Sequence, residues 1–123
     1  MRTLPFILGL SVAACAGPAA PPGDASASLT GGRVAGTPQS CISTSTSEGL
    51  HAIDSATLAY GSGSTIYINR LGYRCPGLRE LSTIITEVRG GQYCRGDRIR
   101  ALELGSIIPG PSCNLGDWVP YRR

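Results

Sequence analysis

The chain contains no lysine: all eleven basic residues are arginine, set against eight acids, for a formal net charge of +3. The acids lie among the arginines, as in Arg79-Glu80 and Glu87-Val88-Arg89, so no basic stripe for nucleic acid forms. Missing lysine beside abundant Gly and Ala reads as the coding bias of a GC-rich genome rather than as selection for anion binding. Histidine is almost absent too, with His51 the single one. No cysteine pair has C-x₂₋₄-C spacing, so a zinc site has neither the sulfur nor the imidazole ligands it needs. The absence of C-x-x-C likewise argues against thioredoxin-like redox chemistry. Long apolar runs are missing: the longest, Leu4 to Val12, falls far short of the roughly 20 residues of a membrane-spanning helix. No metal or cofactor is expected.

What is present begins with that short run. Arg2, the apolar stretch and then Ala13-Ala14 have the three parts of a secretory signal peptide spanning 1–14. The letters "VAAC" resemble the lipobox of bacterial lipoproteins. That resemblance implies that the Cys15 sulfur takes a diacylglyceryl group, that cleavage precedes it, and that the new amine is acylated. Several acyl chains give a lasting anchor where one binds only marginally. Residue 16 is Ala rather than Asp, which in Gram-negative lipoproteins implies transfer to the periplasmic face of the outer membrane. From 15 to 38 the composition is mainly Pro, Gly, Ala, Ser and Thr, too poor in apolar surface to offset the entropy of ordering. It is expected to be a tether, leaving 39–123 as the folded body.

Four cysteines remain in that body: Cys41, Cys75, Cys94 and Cys113. An even number in an exported chain reads as two disulfides, with three connectivities open. We expect the nested arrangement, Cys41–Cys113 closing the first strand on the last and Cys75–Cys94 clipping a central segment. In a body this small a single core is marginal and such staples matter.

Strand patterns dominate after residue 40. "STIYINRL" alternates Ile66 and Ile68 with Tyr67 and Asn69, "STIITEVR" sets Ile84 and Val88 against Ile85 and Glu87, and "RIRALEL" sets Ile99 and Ala101 against Arg98 and Arg100. This two-residue period, punctuated by "GSGS", "GG" and "PGPS", predicts β-strands and turns. "TLAYGSGSTIYI" reads as a hairpin, and "CPGLREL" as the one candidate helical turn, with Pro76 in its first position. The expected fold is all-β, a small barrel or curled antiparallel sheet of five to seven strands.

The order Cys41, "GLHAID", "TLAYGSGSTIYINRL", "CPGL", "GGQYC", "CNLGDW" resembles an uncharacterised family of small Gram-negative lipoproteins, a domain of unknown function with four body cysteines. The likeness covers 41–118 and departs near residue 62, where a Gly-Ser run replaces a more varied tip. That family carries no assigned activity, so the resemblance transfers no catalytic residue.

Four motifs compete for a function. His51 and Asp54 with nearby serines suggest a hydrolase, but there is no G-x-S-x-G elbow, and Asp54 reads better as a turn residue. The Arg95-Gly96-Asp97 tripeptide reads as a β-turn rather than an integrin ligand. Trp118 reads as a core residue rather than part of an exposed aromatic surface with Tyr73, Tyr93 and Tyr121. "GSGSTIY" at 61–67 is similar to the Ser-Gly loop of the periplasmic inhibitors of c-type lysozyme, themselves small disulfide-bonded β-proteins. It makes Tyr60, Ser62, Ser64 and Tyr67 a candidate binding loop. The sequence therefore points to a non-enzymatic module at the envelope, held to the membrane by its N-terminal lipid. Its partner is a protein there rather than nucleic acid, and the alternative is an inhibitor of a wall-degrading enzyme.

Overall fold

The computed structural model describes residues 30–44, 49–87 and 90–123. Residues 1–29, which hold the expected signal peptide, Cys15 and most of the expected tether, lie outside the described residues. The body is all-β: β1 (Val34–Ala35), β2 (Cys41–Ser43), β3 (His51–Asp54), β4 (Thr57–Tyr60), β5 (Thr65–Arg70), β6 (Thr83–Thr86), β7 (Gln92–Cys94), β8 (Arg98–Leu102), β9 (Cys113–Asn114) and β10 (Trp118–Arg122). They form three antiparallel sheets, β1-β10-β5-β4-β3, β2-β7 and β6-β8-β9. The expected antiparallel all-β fold is present and its largest sheet has five strands; the described residues add two smaller sheets, and none of the three closes into a barrel. Gly- and Pro-rich connections interrupt the pairing before closure. The outer strands of the largest sheet are also weak, β1 being two residues long and β3 shifting register between Ala52 and Asp54.

The largest sheet begins earlier than composition suggests. Val34 and Ala35, inside the stretch assigned to the tether, pair with Arg122 and Tyr121, and Gln39 bridges Trp118. These are backbone contacts, and both β1 side chains are exposed, so hydropathy carries no trace of them.

Ladder alternation on β5 decides the layering. Tyr67 and Asn69 face one side, opposite Tyr60 and Leu58 of β4, while Ile66 and Ile68 face the other. On the first side Ala52, Leu58, Tyr60 and Trp118 pack with Ile42 of β2, Ile99 and Ala101 of β8, and Cys113 of β9. The two smaller sheets thus cover one face of the large one. On the opposite face Ala59, Ile66 and Ile68 pack with Ile53 and Tyr121. Arg70 Nη1 donates to the Tyr121 hydroxyl at 3.3 Å, and the register places this contact beside Ile68. A strand buried on both faces still shows a period of two, because its side chains serve different clusters.

Four cysteines form two disulfides, Cys41–Cys94 and Cys75–Cys113. The nested pairing expected above is corrected to an interlaced one. The reason is strand placement: β2 lies beside β7, which sets Cys41 directly opposite Cys94. The last strand pairs instead with β1 and β5, which leaves Cys113 on β9 to meet Cys75. Each bridge closes a loop, of 53 and 38 residues' separation respectively, and in the chain-entropy treatment is worth about 4 kcal/mol. "CPGLREL" forms turns rather than a helix. Leu78 N donates to Cys75 O at 3.1 Å across Pro76-Gly77, and Gly77 has φ +78°, the type II geometry with Pro second and Gly third.

Candidate functional site

The β4–β5 connection is the hairpin tip that the sequence singles out. The ladder ends at Tyr60 opposite Tyr67, after which Gly61 and Gly63 take φ of +97° and +81°. Gly61 is doubly constrained, since a Cβ there would lie 3.2 Å from Thr65 O. The tip is then fastened from outside the hairpin. Arg33 Nη2 donates to Gly63 O at 2.5 Å, and Arg123 N donates to Ser64 O at 3.1 Å. Those partners come from just before β1 and just after β10, so both ends of the described body grip the same loop.

Of the four candidate loop residues, Ser62 and Ser64 are exposed, Tyr67 is half-buried, and Tyr60 is buried. Tyr60 meets Tyr93 edge-on, ring centroids 5.6 Å apart, so it supports the core rather than the tip. Tyr67 packs against the same cluster. Three arginines lie on the segments that adjoin the tip: Arg33 and Arg123 bond to it as above, and Arg122 is opposite Thr65 in the ladder. The arrangement offers two exposed hydroxyls, Ser62 and Ser64, on a tip whose shape is fixed from outside the hairpin.

The other motifs are dispersed. Asp54 Oδ1 accepts from Ala56 N at 2.8 Å, making the β3–β4 turn as expected, while His51 is exposed on β3 opposite Ala59. Arg95-Gly96-Asp97 is a β-turn in which Asp97 N donates to Cys94 O at 3.0 Å and Gly96 has φ +86°. Asp97 Oδ2 accepts from Cys94 N at 2.7 Å, so the carboxylate is used inside the turn. Trp118 is fully buried and lies 6.4 Å from Tyr93. Tyr73 is exposed, its hydroxyl accepting from Asn114 N at 2.7 Å. The four aromatic residues do not share one surface.

Two surface recesses lie elsewhere. One, of about 220 Å³, is lined by Pro76, Gly77, Ala101, Glu103, Ile108 and Pro111 among others. A polar one of about 280 Å³ lies between Glu87, Gly96, Asp97 and Arg98. Among the described residues no group of three or more His, Cys, Asp or Glu is placed to hold a metal ion.

Sequence reasoning missed two features. Asn69 is fully buried with its amide clamped to the backbone of Gly116, and only the polar residue inside a strand pattern hints at it. The other is the set of exposed aliphatic side chains Leu104, Ile107 and Ile108, whose outward aim no hydropathy pattern signals. No family model, curated protein or solved structure matches this chain.

Proposed function

We propose that this protein is a non-enzymatic module of the bacterial cell envelope, tethered by lipid on Cys15 to the periplasmic face of the outer membrane, where it binds or supports a protein partner. The observation that carries the reading is the use of the cysteines. Four of the five are joined in two interlaced disulfides within the body, as suits an oxidising compartment. That leaves Cys15 as the fifth, at the end of a signal-like run in a lipobox-like tetrad. A thiol at that place has a chemical use in acylation and none in stapling the body. The test is Cys15→Ala followed by fractionation. The protein should move from the membrane fraction to the soluble periplasm, and the intact chain should carry the mass of its acyl groups. Unchanged fractionation with an unmodified Cys15 overturns the anchor.

A second reading is supported by the fastened tip at 61–64. A loop held by Arg33 and Arg123 loses little entropy on docking, which favours affinity, and its arginine-rich flank suits a cleft lined by carboxylates. On that reading the protein inhibits a wall-degrading enzyme such as a lysozyme through Ser62 and Ser64. Titrating the protein into a lysozyme assay decides it: hydrolysis falls if the loop occupies the cleft, and unchanged hydrolysis ends the inhibitor reading.

A further inference from the structure

The connection between β8 and β9 exposes aliphatic surface that the body does not use. Leu104, Ile107 and Ile108 are 83%, 92% and 76% exposed, and Leu81 is 74% exposed. The β6–β8 register pairs Thr83 with Leu102, so the segments carrying Leu81 and Leu104 leave the ladder at the same end. An Arg79–Glu103 ion pair at 3.6 Å joins the same two segments. The loop is ordered by backbone bonds and by the Ser106 hydroxyl. Ser106 N donates to Glu103 O at 3.0 Å, Gly110 N to Ala101 O at 2.8 Å, and Ile108 N to Ser106 Oγ at 3.2 Å. The aliphatic groups are thus held outward by a built loop.

We propose that Leu81, Leu104, Ile107 and Ile108 form a shallow insertion surface that lays the folded body against a phospholipid bilayer. This rests on the lipid-anchor reading above. Three observations choose a bilayer over a protein or a second copy. The four side chains are all aliphatic, whereas protein interfaces concentrate their energy in aromatic and arginine anchors seated in pockets. Acyl chains need no shape match, so protruding Leu and Ile suit them. The flanking charges are mixed, Arg79 paired with Glu103 and Glu80 beside Leu81, and the exposed Arg79 and Arg100 have long apolar stems whose guanidinium groups can rise to the phosphate level.

The anchor also supplies proximity. Cys15 and Thr30 are fifteen positions apart, a length of chain that can reach at most about 50 Å. That reach exceeds the diameter of roughly 30 Å expected for a body of this size, so either end of the body can face the lipid. A tethered surface is present at high effective concentration, and weak insertion is then enough to fix the orientation.

The experiment places a reporter in the loop. Ile107→Trp is introduced into the full protein isolated from bacterial membranes and reconstituted into phosphatidylethanolamine–phosphatidylglycerol vesicles carrying bromine on their acyl chains. Its emission should be quenched and blue-shifted, while the wild-type signal from buried Trp118 stays unchanged. Adding Leu104→Asp and Ile108→Asp should abolish the quenching without changing flotation with the vesicles. Flotation without quenching overturns the insertion surface and leaves the anchor standing. If mass analysis finds no acyl group, the anchor fails, and quenching on mixing with millimolar vesicles still decides the surface. Absence of quenching together with a dimer that Ile107→Ser dissociates assigns the patch to a second copy and also overturns the proposal.

Discussion

Asn69 grips both backbone groups of one residue, Gly116: its Nδ2 donates to Gly116 O at 2.8 Å, and its Oδ1 accepts from Gly116 N at 2.8 Å. The side chain thereby copies the paired hydrogen bonds of an antiparallel ladder where the chain turns into β10. Gly116 is needed because a Cβ there would come within 2.6 Å of Arg70 O, a backbone atom with no freedom to retreat. Asn69→Ala should lower stability by about 1–3 kcal/mol by leaving partly buried backbone groups unpaired. Gly116→Ala should cost a similar amount through overpacking. Urea denaturation reads both, and midpoints unchanged from wild type would mean the clamp carries no stability.

The two disulfides differ in access, and so should differ in reactivity. Cys75 and Cys113 are buried in the core, whereas Cys41 and Cys94 are only partly buried. Exposed disulfides are the more readily reduced. Under limiting reductant without denaturant, alkylation should label Cys41 and Cys94 first. Peptide mapping of the unreduced chain should recover Cys41 linked to Cys94 and Cys75 linked to Cys113. A Cys75–Cys94 peptide would contradict the strand placement itself. The double variant Cys75→Ala, Cys113→Ala should lose about 4 kcal/mol if the folded state is otherwise preserved.

What could be read in advance was local. Alternation at Ile66, Ile68, Ile99 and Ala101, the turn at Arg95-Gly96-Asp97, the Asp54 turn and the burial of Trp118 all follow from one segment's own chemistry. Which strands become neighbours does not. The setting of β10 between β1 and β5, and of Cys41 opposite Cys94, depends on backbone pairing between distant segments, and backbone groups are the same in every residue. β1 illustrates the point most sharply, because neither of its side chains is buried. In the candidate loop the positive-φ glycines were legible, but the outward or inward aim of Tyr60 was not. That aim depends on which face of β4 receives the smaller sheets.

The hairpin tip separates two costs of losing glycine. Gly61 and Gly63 both have positive φ, but only Gly61 has a backbone atom close to the missing Cβ, while Gly63 has nothing within 4 Å. Gly63→Ala should cost about 1 kcal/mol, from conformation alone. Gly61→Ala should cost more, about 2–3 kcal/mol, because conformational strain and the Thr65 O contact act together. Thermal melts of the two variants provide the comparison, and equal losses would show that the close approach relaxes freely. Ser62→Ala and Ser64→Ala, at exposed positions, should leave the melting temperature within about 0.5 kcal/mol equivalent of wild type, so any effect on a partner can be assigned to the loop surface.

Trp118 joins the largest sheet to the cluster beneath the smaller ones, and its indole meets that environment in two ways. The ring is fully buried and tilted 31° to Tyr93, so its apolar area is removed from water and its contacts are many. Its Nε1 is also buried, and finds no hydrogen-bond acceptor among the described residues. The first effect stabilises, and the second costs desolvation without return. Trp118→Ala removes both and leaves a large cavity, for an expected loss of about 3–5 kcal/mol. Trp118→Phe keeps most of the ring's packing and removes the unpaired donor, so the two effects oppose each other and the loss should be well under half of that for Ala. Urea unfolding followed by far-ultraviolet circular dichroism measures both variants without relying on the tryptophan signal. If Phe proves as damaging as Ala, the indole nitrogen must be bonded, and the packing account of this core position is wrong.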